Sequence, residues 1–343
     1  MNADDKIVID LDNTITIESD NDYSDKLPNY KIIQAIKSAK KHKKVVIFTA
    51  RNMRSFNKDI NKINEITKPI AIEWLKKNSV EYDEIIFGKP WAGKEGWYVD
   101  DRNLSLEEFI FKFDGPFHDS TFDIIIPCFN EEKNIQNTYK DLIKLERLFN
   151  IRNIIFVDNG STDNTLKEIN ILKEENNKVK SIKVNKNKGY GNGIKRGLLI
   201  ADGDYVIINH ADGQFDAYNF IHSNLKNIQR SNAVIPIRFN RPKLEIFFSF
   251  ILRIFLSAIN LKKVKDFNGQ PKIFKLSEIE NFNKIPNDFC FDYYIYRKFE
   301  NESIYLPVIQ SDRDSGVSSW KGSIYKTFKI FIRYIYFSLK YKE

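Results

Sequence analysis

The chain has 343 residues, 42% of them hydrophobic and 29% charged, an ordinary balance for a globular protein with room for two domains. Its two cysteines, Cys128 and Cys290, belong to no CxxC or His/Cys cluster, which excludes a cysteine-bound zinc and predicts free thiols in a reducing cytoplasm. The net charge of +8 suits an anionic partner, whether nucleic acid, a membrane surface or a phosphorylated substrate.

The N-terminal MNADDKIVID is acidic where a signal peptide is basic, and no run of about 18 uncharged apolar residues predicts a spanning helix. In chain order, strand KIVIDL is followed by helix YKIIQAIKSAKKHKK, strand VVIFTA, helical material through IEWLKKN, and strands EIIFG and WYVDD. This alternation predicts a parallel sheet with crossover helices and ligands at the carboxyl ends of its strands. Periodicity lapses at FKFDGPFHDST, which sets a first domain over residues 1–116.

The first strand ends in two carboxylates, Asp10 and Asp12. On an extended backbone they point the same way. At roughly 5 Å and an effective dielectric near 20 they repel by about 3 kcal/mol. Thr49 and Arg51 follow the second strand, Lys89 follows EIIFG, and Asp100 and Asp101 end WYVDD. Carboxylates converging with one lysine make a poor structural cluster, but a divalent cation turns the repulsion into ligation.

DxD with a following Thr, then Thr, Lys and paired Asp, resembles the haloacid dehalogenase superfamily. GKPWAGKEGWYVDD with TARNMR looks like its small capsule-biosynthesis phosphatases. The resemblance covers residues 5–112. It implies Asp10 as nucleophile, through an aspartyl-phosphate, and Asp12 as general acid and then base. Thr49 and Lys89 would hold the phosphoryl oxygens, and Asp10, the Asp12 carbonyl and Asp100 would bind Mg²⁺. The segment 15–28 is too short for a large cap.

The pattern then restarts: strand FDIIIP, a helix over 131–149, strand NIIFVD, a helix from Asp163, strand VKSIKV, a helix from Gly191, and strands DYVIIN and NAVIPIRF. Asn130-Glu131-Glu132 sits at a strand-to-helix turn and Asp158 at a strand end. NKNKGYGNGIKRG is a Gly-rich loop before a helix, a shape that approaches phosphate.

In this order the motifs look like the inverting family 2 glycosyltransferases of GT-A fold, nearest the branch of polyprenyl-phosphate sugar synthases. The resemblance covers residues 121–320. It implies Pro127, Asn130 and Glu131 on the nucleotide side, Asp158 at the nucleobase or ribose, and Lys188-Gly189 beside the nucleotide. NHADGQFD stands where the family has a DxD that ligates Mg²⁺ or Mn²⁺. Here the metal-side positions are His210, Asp212 and Gln214, and His210 is a departure. Either His210 is a ligand or it only supports Asp212. Arg238, Arg253, Ser257, Lys272, Asp292 and Arg313 fall where the branch holds its acceptor.

LEIFFSFILRIFLSAINL, residues 244–261, is apolar nearly all round. SIYKTFKIFIRYIYFSLKYK, residues 323–342, mixes aromatics with Lys and Arg as interfacial helices do; a core helix and a solvated tail are the plainer readings.

The expectation is therefore an α/β chain of two Rossmann-like domains. A haloacid dehalogenase-type parallel sheet over 1–116 precedes a GT-A domain over 117–322 and a basic aromatic helix over 323–343. The expected function is a bifunctional enzyme of capsule or other surface-polysaccharide synthesis in the cytoplasm, peripheral at the inner face of the cell membrane. Its expected partners are a phosphorylated small molecule, a nucleotide sugar, a glycan or polyprenyl-phosphate acceptor, and no nucleic acid, since the Lys residues are dispersed. The alternative is a transferase carrying a silent docking module.

Overall fold

The computed structural model describes residues 5–19, 21–93, 98, 102–228, 231–311 and 324–341, with 324–327 as backbone only. The chain forms two compact units, Met1–Asp119 and Ser120–Glu343.

In the first unit, β1 (Lys6–Ile9), β2 (Lys44–Thr49) and β3 (Glu84–Phe87) form a parallel sheet in the order β1-β2-β3. Helix α1 (Tyr30–Lys40) starts where the Asn29 side chain accepts the Ile32 N–H, and it buries Ile32, Ala35, Ile36 and Ala39 at helical spacing. A short α2 (Ile60–Lys62) runs through an irregular turn into α3 (Lys68–Lys77). Helix α4 (Leu106–Asp114) opens on a capping box between Ser105 and Glu108. The apolar faces of these elements enclose Ile9, Ile36, Ile47, Trp74, Leu75 and Phe109. Strand β1 stops one residue before Asp10, and Asn13 takes a positive φ of 59° inside the turn Leu11–Ile15. The expected strand KIVIDL is therefore shorter, and Asp12 lies on the turn that leaves it. Of WYVDD only Tyr98 is described; Asp100 and Asp101 lie outside the described residues.

Among its described residues the second unit has seven strands: β4 (Thr121–Cys128), β5 (Asn150–Asp158), β6 (Val179–Lys183), β7 (Tyr205–Ile208), β8 (Ala233–Phe239), β9 (Lys272–Lys275) and β10 (Ser303–Ile309). Their order is β10-β8-β9-β7-β4-β5-β6. Strand β9 runs antiparallel to β7 and β8, and the other pairs are parallel. Residues Phe122 to Ile126 of β4 are all buried, as a central strand covered on both faces requires. The chain leaves β4 toward β5 and β6 and returns on the other side as β7. The switch point therefore lies between the ends of β4 and β7, where open α/β sheets bind ligands.

Helices α5 (Ile135–Ile143), α6 (Thr165–Glu175), α7 (Tyr190–Leu198) and α8 (Ala217–Ser223) connect the strands. The expected helix over 131–149 is shorter because a 3₁₀ turn, Lys144–Arg147, ends it. Gly197 lets α7 lie against β4, since a Cβ there would collide with Ile125. Helices α9 (Lys243–Asn260), α10 (Cys290–Lys298) and α11 (Ile324–Lys340) complete the unit. The C-terminal helix, expected as a separate segment from 323, is instead packed into this unit. Tyr334 is buried and its hydroxyl donates to the Phe289 carbonyl at 2.9 Å. Among the described residues, no helix is long and apolar enough to cross a membrane.

Candidate active sites

In the first unit, strand register brings three sequence-distant residues to one sheet end. Asp10 follows β1, Thr49 ends β2, and Lys89 follows β3, with the Lys89 N–H donating to the Thr49 carbonyl at 3.2 Å. Lys89 Nζ is 3.3 Å from Asp10 Oδ1. Burial raises the Asp10 pKa, against the opposing pull of Lys89. Asp12 takes a different cation. Arg51 Nη2 donates to Asp12 Oδ1 at 2.7 Å and Nε to Oδ2 at 3.1 Å. The repulsion expected between the two carboxylates is thus divided between two separate ion pairs.

Arg51 is 2% exposed, lies over the Tyr23 ring at 4.3 Å, and keeps a buried Nη1 with no hydrogen-bond partner. Its role as the clamp on Asp12 was not legible in the sequence, because the two residues are 39 positions apart. Thr49 is fully buried and its Oγ1 accepts the Arg51 N–H at 3.1 Å. Among the described residues no cluster of three or more His, Cys, Asp or Glu side chains stands ready for a metal. The described donors, the Asp10 carboxylate and the Asp12 carbonyl, are hard oxygens of the kind Mg²⁺ takes.

In the second unit, Cys128 and Asp158 are register partners at the ends of β4 and β5. The two following loops are tied together. Asn130, at φ 57°, donates its N–H to Ser161 Oγ at 3.0 Å and accepts the Thr162 N–H at 2.9 Å; the Glu131 N–H donates to Thr165 Oγ1 at 2.8 Å. Asp158 is 2% exposed and accepts the Ser161 N–H at 2.9 Å. Pro127 packs near Gly193 of α7.

The His210–Gln214 loop follows β7. Thr138 of α5 holds it by donating to the Ala211 carbonyl at 3.0 Å. Asp212 is buried and accepts the Gln214 N–H at 3.2 Å, and the Ser311 N–H donates to the Gln214 carbonyl at 3.0 Å. His210 Nε2 is 3.0 Å from the Tyr190 hydroxyl. Asn159 Oδ1, Asn192 Nδ2 and Asn209 Oδ1, around the strand ends and the start of α7, are buried without partners. Orphaned polar atoms beside a buried carboxylate fit a polar ligand and a divalent cation.

The Gly-rich loop does something the sequence did not disclose. Gly189 has φ 112°, and Gly191 has the backbone of Pro286–Asp288 against its α-carbon, where a Cβ would collide. These glycines admit a neighbouring loop, and the Asn192 N–H donates to the Asn287 carbonyl at 2.9 Å. Lys188 lies just before this contact.

The acceptor-side candidates separate into several environments. Arg238 is bound to Asp266 by Nε and Nη2, each at 2.9 Å. Lys272 is fully buried, with Nζ 2.7 Å from Asp292 Oδ1 and donating to the Gly269 carbonyl at 2.7 Å. Burial depresses its ammonium against the pull of Asp292. Lys272 and Asp292 therefore satisfy each other inside the fold instead of presenting charge on the surface. Ser257 donates to the Arg253 carbonyl at 2.6 Å and accepts the Val264 N–H at 2.9 Å, which ties down the end of α9. Arg253 Nε donates to the Ser249 carbonyl at 3.4 Å. Arg313 lies outside the described residues.

The profile of glycosyl transferase family 2 matches residues 123–298, just over half of the chain and the stretch that carries β4 to α10. The chain belongs to glycosyl transferase family 2. A dolichyl-phosphate beta-glucosyltransferase of Dictyostelium discoideum is 27% identical over 157 residues, 42% of this chain and 48% of the relative. A poly-beta-1,6-N-acetyl-D-glucosamine synthase of Staphylococcus aureus is 30% identical over 112 residues, 32% of this chain and 26% of the relative. This family 2 chain thus spans about half the length of the first relative and about a quarter of the second.

A Mycobacterium tuberculosis glucosyl-3-phosphoglycerate synthase, solved with Mn²⁺, UDP-glucose and phosphoglyceric acid, shares the fold. Its TM-score is 0.51 at 14% identity, over 71% of this chain and 85% of that one. A solved Vibrio cholerae chain is 43% identical over 31% of this chain and 87% of that one, with a TM-score of 0.31.

Proposed function

We propose that the chain is a cytoplasmic bifunctional enzyme of surface-polysaccharide synthesis: a phosphatase unit joined to a family 2 glycosyltransferase unit. The observation that carries the transferase half is the buried Asp212 at the β4/β7 switch point, with Asp158 and three orphaned amide atoms around the strand ends. Pro127, Asn130, Glu131 and Asp158 would form the nucleotide side, bordered by Lys188-Gly189. Asp212, with Gln214 and His210 on the same turn, would hold a divalent cation, which neutralises the donor diphosphate when bound. The carboxylate suits Mg²⁺ or Mn²⁺ and the imidazole favours Mn²⁺; the mycobacterial protein of this fold was solved with Mn²⁺. The relatives' names support a glycan or a polyprenyl-phosphate as acceptor. Arg238, Arg253 and Arg313 are the proposed acceptor contacts. The buried Lys272–Asp292 pair would support Arg238 from within the fold.

The phosphatase half rests on Asp10 and Lys89 meeting at one sheet end while Arg51 orients Asp12. In the proposed reaction an Asp10 oxygen attacks phosphorus and the phosphorus–oxygen bond to the leaving group breaks. Asp12 gives that oxygen its proton. Asp12 then takes a proton from water, whose oxygen attacks the aspartyl-phosphate and releases phosphate and the free Asp10 carboxylate. Lys89 and Thr49 would steady the phosphoryl oxygens. Mg²⁺, held by Asp10, the Asp12 carbonyl and Asp100, would neutralise phosphoryl charge when bound. The substrate class is a small phosphorylated sugar or polyol.

The test is a panel of phosphorylated sugars and nucleotide sugars on the full chain. Asp10→Asn should abolish phosphate release and leave nucleotide release intact. Unchanged phosphate release in that variant would sink the phosphatase half, and a chain that releases nucleotide from no sugar donor would sink the other.

A further inference from the structure

The second unit leaves an unusual amount of apolar surface on two touching helices. In α9 only Leu252 and Leu256 are buried. Leu244, Phe247, Phe250 and Ile254 are 66%, 56%, 52% and 51% exposed, and Leu261, just past the helix end, is 94% exposed. Helix α11 divides into three sectors at 100° per residue. Phe331, Tyr334, Phe337 and Ser338 face the fold. Phe328, Ile332, Tyr336 and Leu339 form an exposed apolar stripe, all at 50% or more. Lys329, Arg333 and Lys340 form an exposed basic stripe beside it, in which Arg333 is paired with Asp288.

The two helices are joined by a Phe255–Phe331 edge contact at 5.4 Å and by Asn260 Nδ2 donating to Ser338 Oγ at 3.1 Å. Their outward faces therefore adjoin. The charge carried by the two helices and their ends is nearly all of one sign: α11 has no carboxylate over Ile324–Lys340, α9 has only Glu245, and Lys243, Lys262 and Lys263 are exposed at the two ends of α9, while from other elements Asp288 pairs with Arg333 and Glu300 with Lys262 at 3.5 Å.

We propose that α9 and α11 together form one docking face for an anionic lipid bilayer, on which the chain rests peripherally. An apolar sector flanked by cations is the pattern of a helix lying in the bilayer interface, where apolar side chains enter the acyl boundary and Lys and Arg stay at headgroup level. The same charge disfavours a second copy of this chain as the occupant, since two such faces would bring like charges together. Helix α9 carries Arg253, a proposed acceptor contact, but neither helix contributes Asp212 or Asp10, and none of the positions substituted below is assigned to either site, so docking and catalysis can be read separately. It joins the two segments weighed separately in the sequence, 244–261 and 323–342, into a composite surface that only the fold assembles.

The test uses the full chain sedimented with phosphatidylcholine vesicles, with and without phosphatidylglycerol. The wild-type chain should bind the anionic vesicles and bind less as salt rises. Phe250→Glu with Ile332→Glu, both at exposed positions, should lower partitioning by at least about tenfold. Lys329→Glu with Lys340→Glu should lower binding to anionic vesicles while retaining the circular dichroism of the wild type. Nucleotide release followed in parallel separates lost docking from lost transfer. The proposal is overturned if Phe250→Glu/Ile332→Glu sediments like the wild type, or if the wild type binds neither vesicle. It is equally overturned if the wild type is a dimer in solution that this variant dissociates, with vesicle binding unchanged.

Discussion

The Nε2 of His210 and the hydroxyl of Tyr190 lie 3.0 Å apart, across 20 residues of chain. The same hydroxyl accepts from Gln270 Nε2 at 3.0 Å, Gln270 donates to Asp292 at 3.2 Å, and Asp292 pairs with Lys272 at 2.7 Å. Tyr190 also stacks on Phe289 at 5.8 Å. One phenol thus ties the loop of Asp212 to the buried ion pair on the other side of the crevice. In such a position His210 has one ring nitrogen committed to a protein partner whether or not it meets a metal.

The expected consequence is non-additivity. Tyr190→Phe keeps the stacked ring and deletes one hydroxyl. A hydrogen bond of about 1 kcal/mol corresponds to roughly fivefold. Tyr190→Phe and His210→Ala should each slow nucleotide release by about that factor, and the double variant should be no slower than the worse single. Fully multiplicative losses would show that the two residues act independently. His210→Asp should move metal preference from Mn²⁺ toward Mg²⁺ if His210 meets the cation, and leave it unchanged if Tyr190 is its only functional partner.

The second prediction concerns acid. Burial raises the Asp10 pKa and Lys89 opposes it. A nucleophilic Asp10 must be ionised, and ionisation occurs above the folded-state value. Phosphate release should therefore rise with pH through a limb above the ordinary Asp value of about 3.9. Lys89→Met removes the opposing cation, so the limb of the residual activity should move to still higher pH. A pH–rate profile of kcat/KM checks both, and a limb that moves to lower pH in Lys89→Met would show that Lys89 does not act on Asp10.

The third prediction concerns stability. Burial by itself would raise the Asp266 pKa, but Arg238 contributes two side-chain donors and its backbone N–H, with Arg241 nearby. Together they hold the carboxyl well below the usual range. With the folded value depressed, the unfolded chain binds more protons between the two values. The stabilisation is complete above about pH 4 and is lost as pH falls through the folded value. Asp266→Asn should cost about 3–5 kcal/mol at neutral pH, because Arg238 is left buried beside a neutral amide. Urea unfolding should show that cost shrinking below pH 4. An equal cost at both ends of the range would mean that the pair carries no pH-dependent stability.

Local sequence indicated most strands and helices as far as β8, because burial on both faces of β4 and helical spacing in α1 are written in short apolar runs, but it did not mark α8, β9, α10 or β10. It also marked the strand ends where Asp10 and Asp158 stand, since a carboxylate closing an apolar run has few structural uses, whereas Asp212, in the loop after β7, was singled out only by the family resemblance. Which residues those carboxylates meet was decided by the tertiary structure alone. Asp12 found Arg51 through a sheet register, Lys272 found Asp292 through a helix laid over β9, and Tyr190 found His210 across the switch point. The glycines before α7 read as a phosphate loop, but Gly189 and Gly191 also admit the Pro286–Asp288 backbone, which approaches from nearly a hundred residues later. Hydrophobic period is a property of neighbours along the chain, whereas pairing of buried charges and close backbone approach depend on elements distant in sequence. For the same reason the tail could be read as amphipathic from its residues, while its partnership with α9, and the apolar face the two share, exists only in the fold.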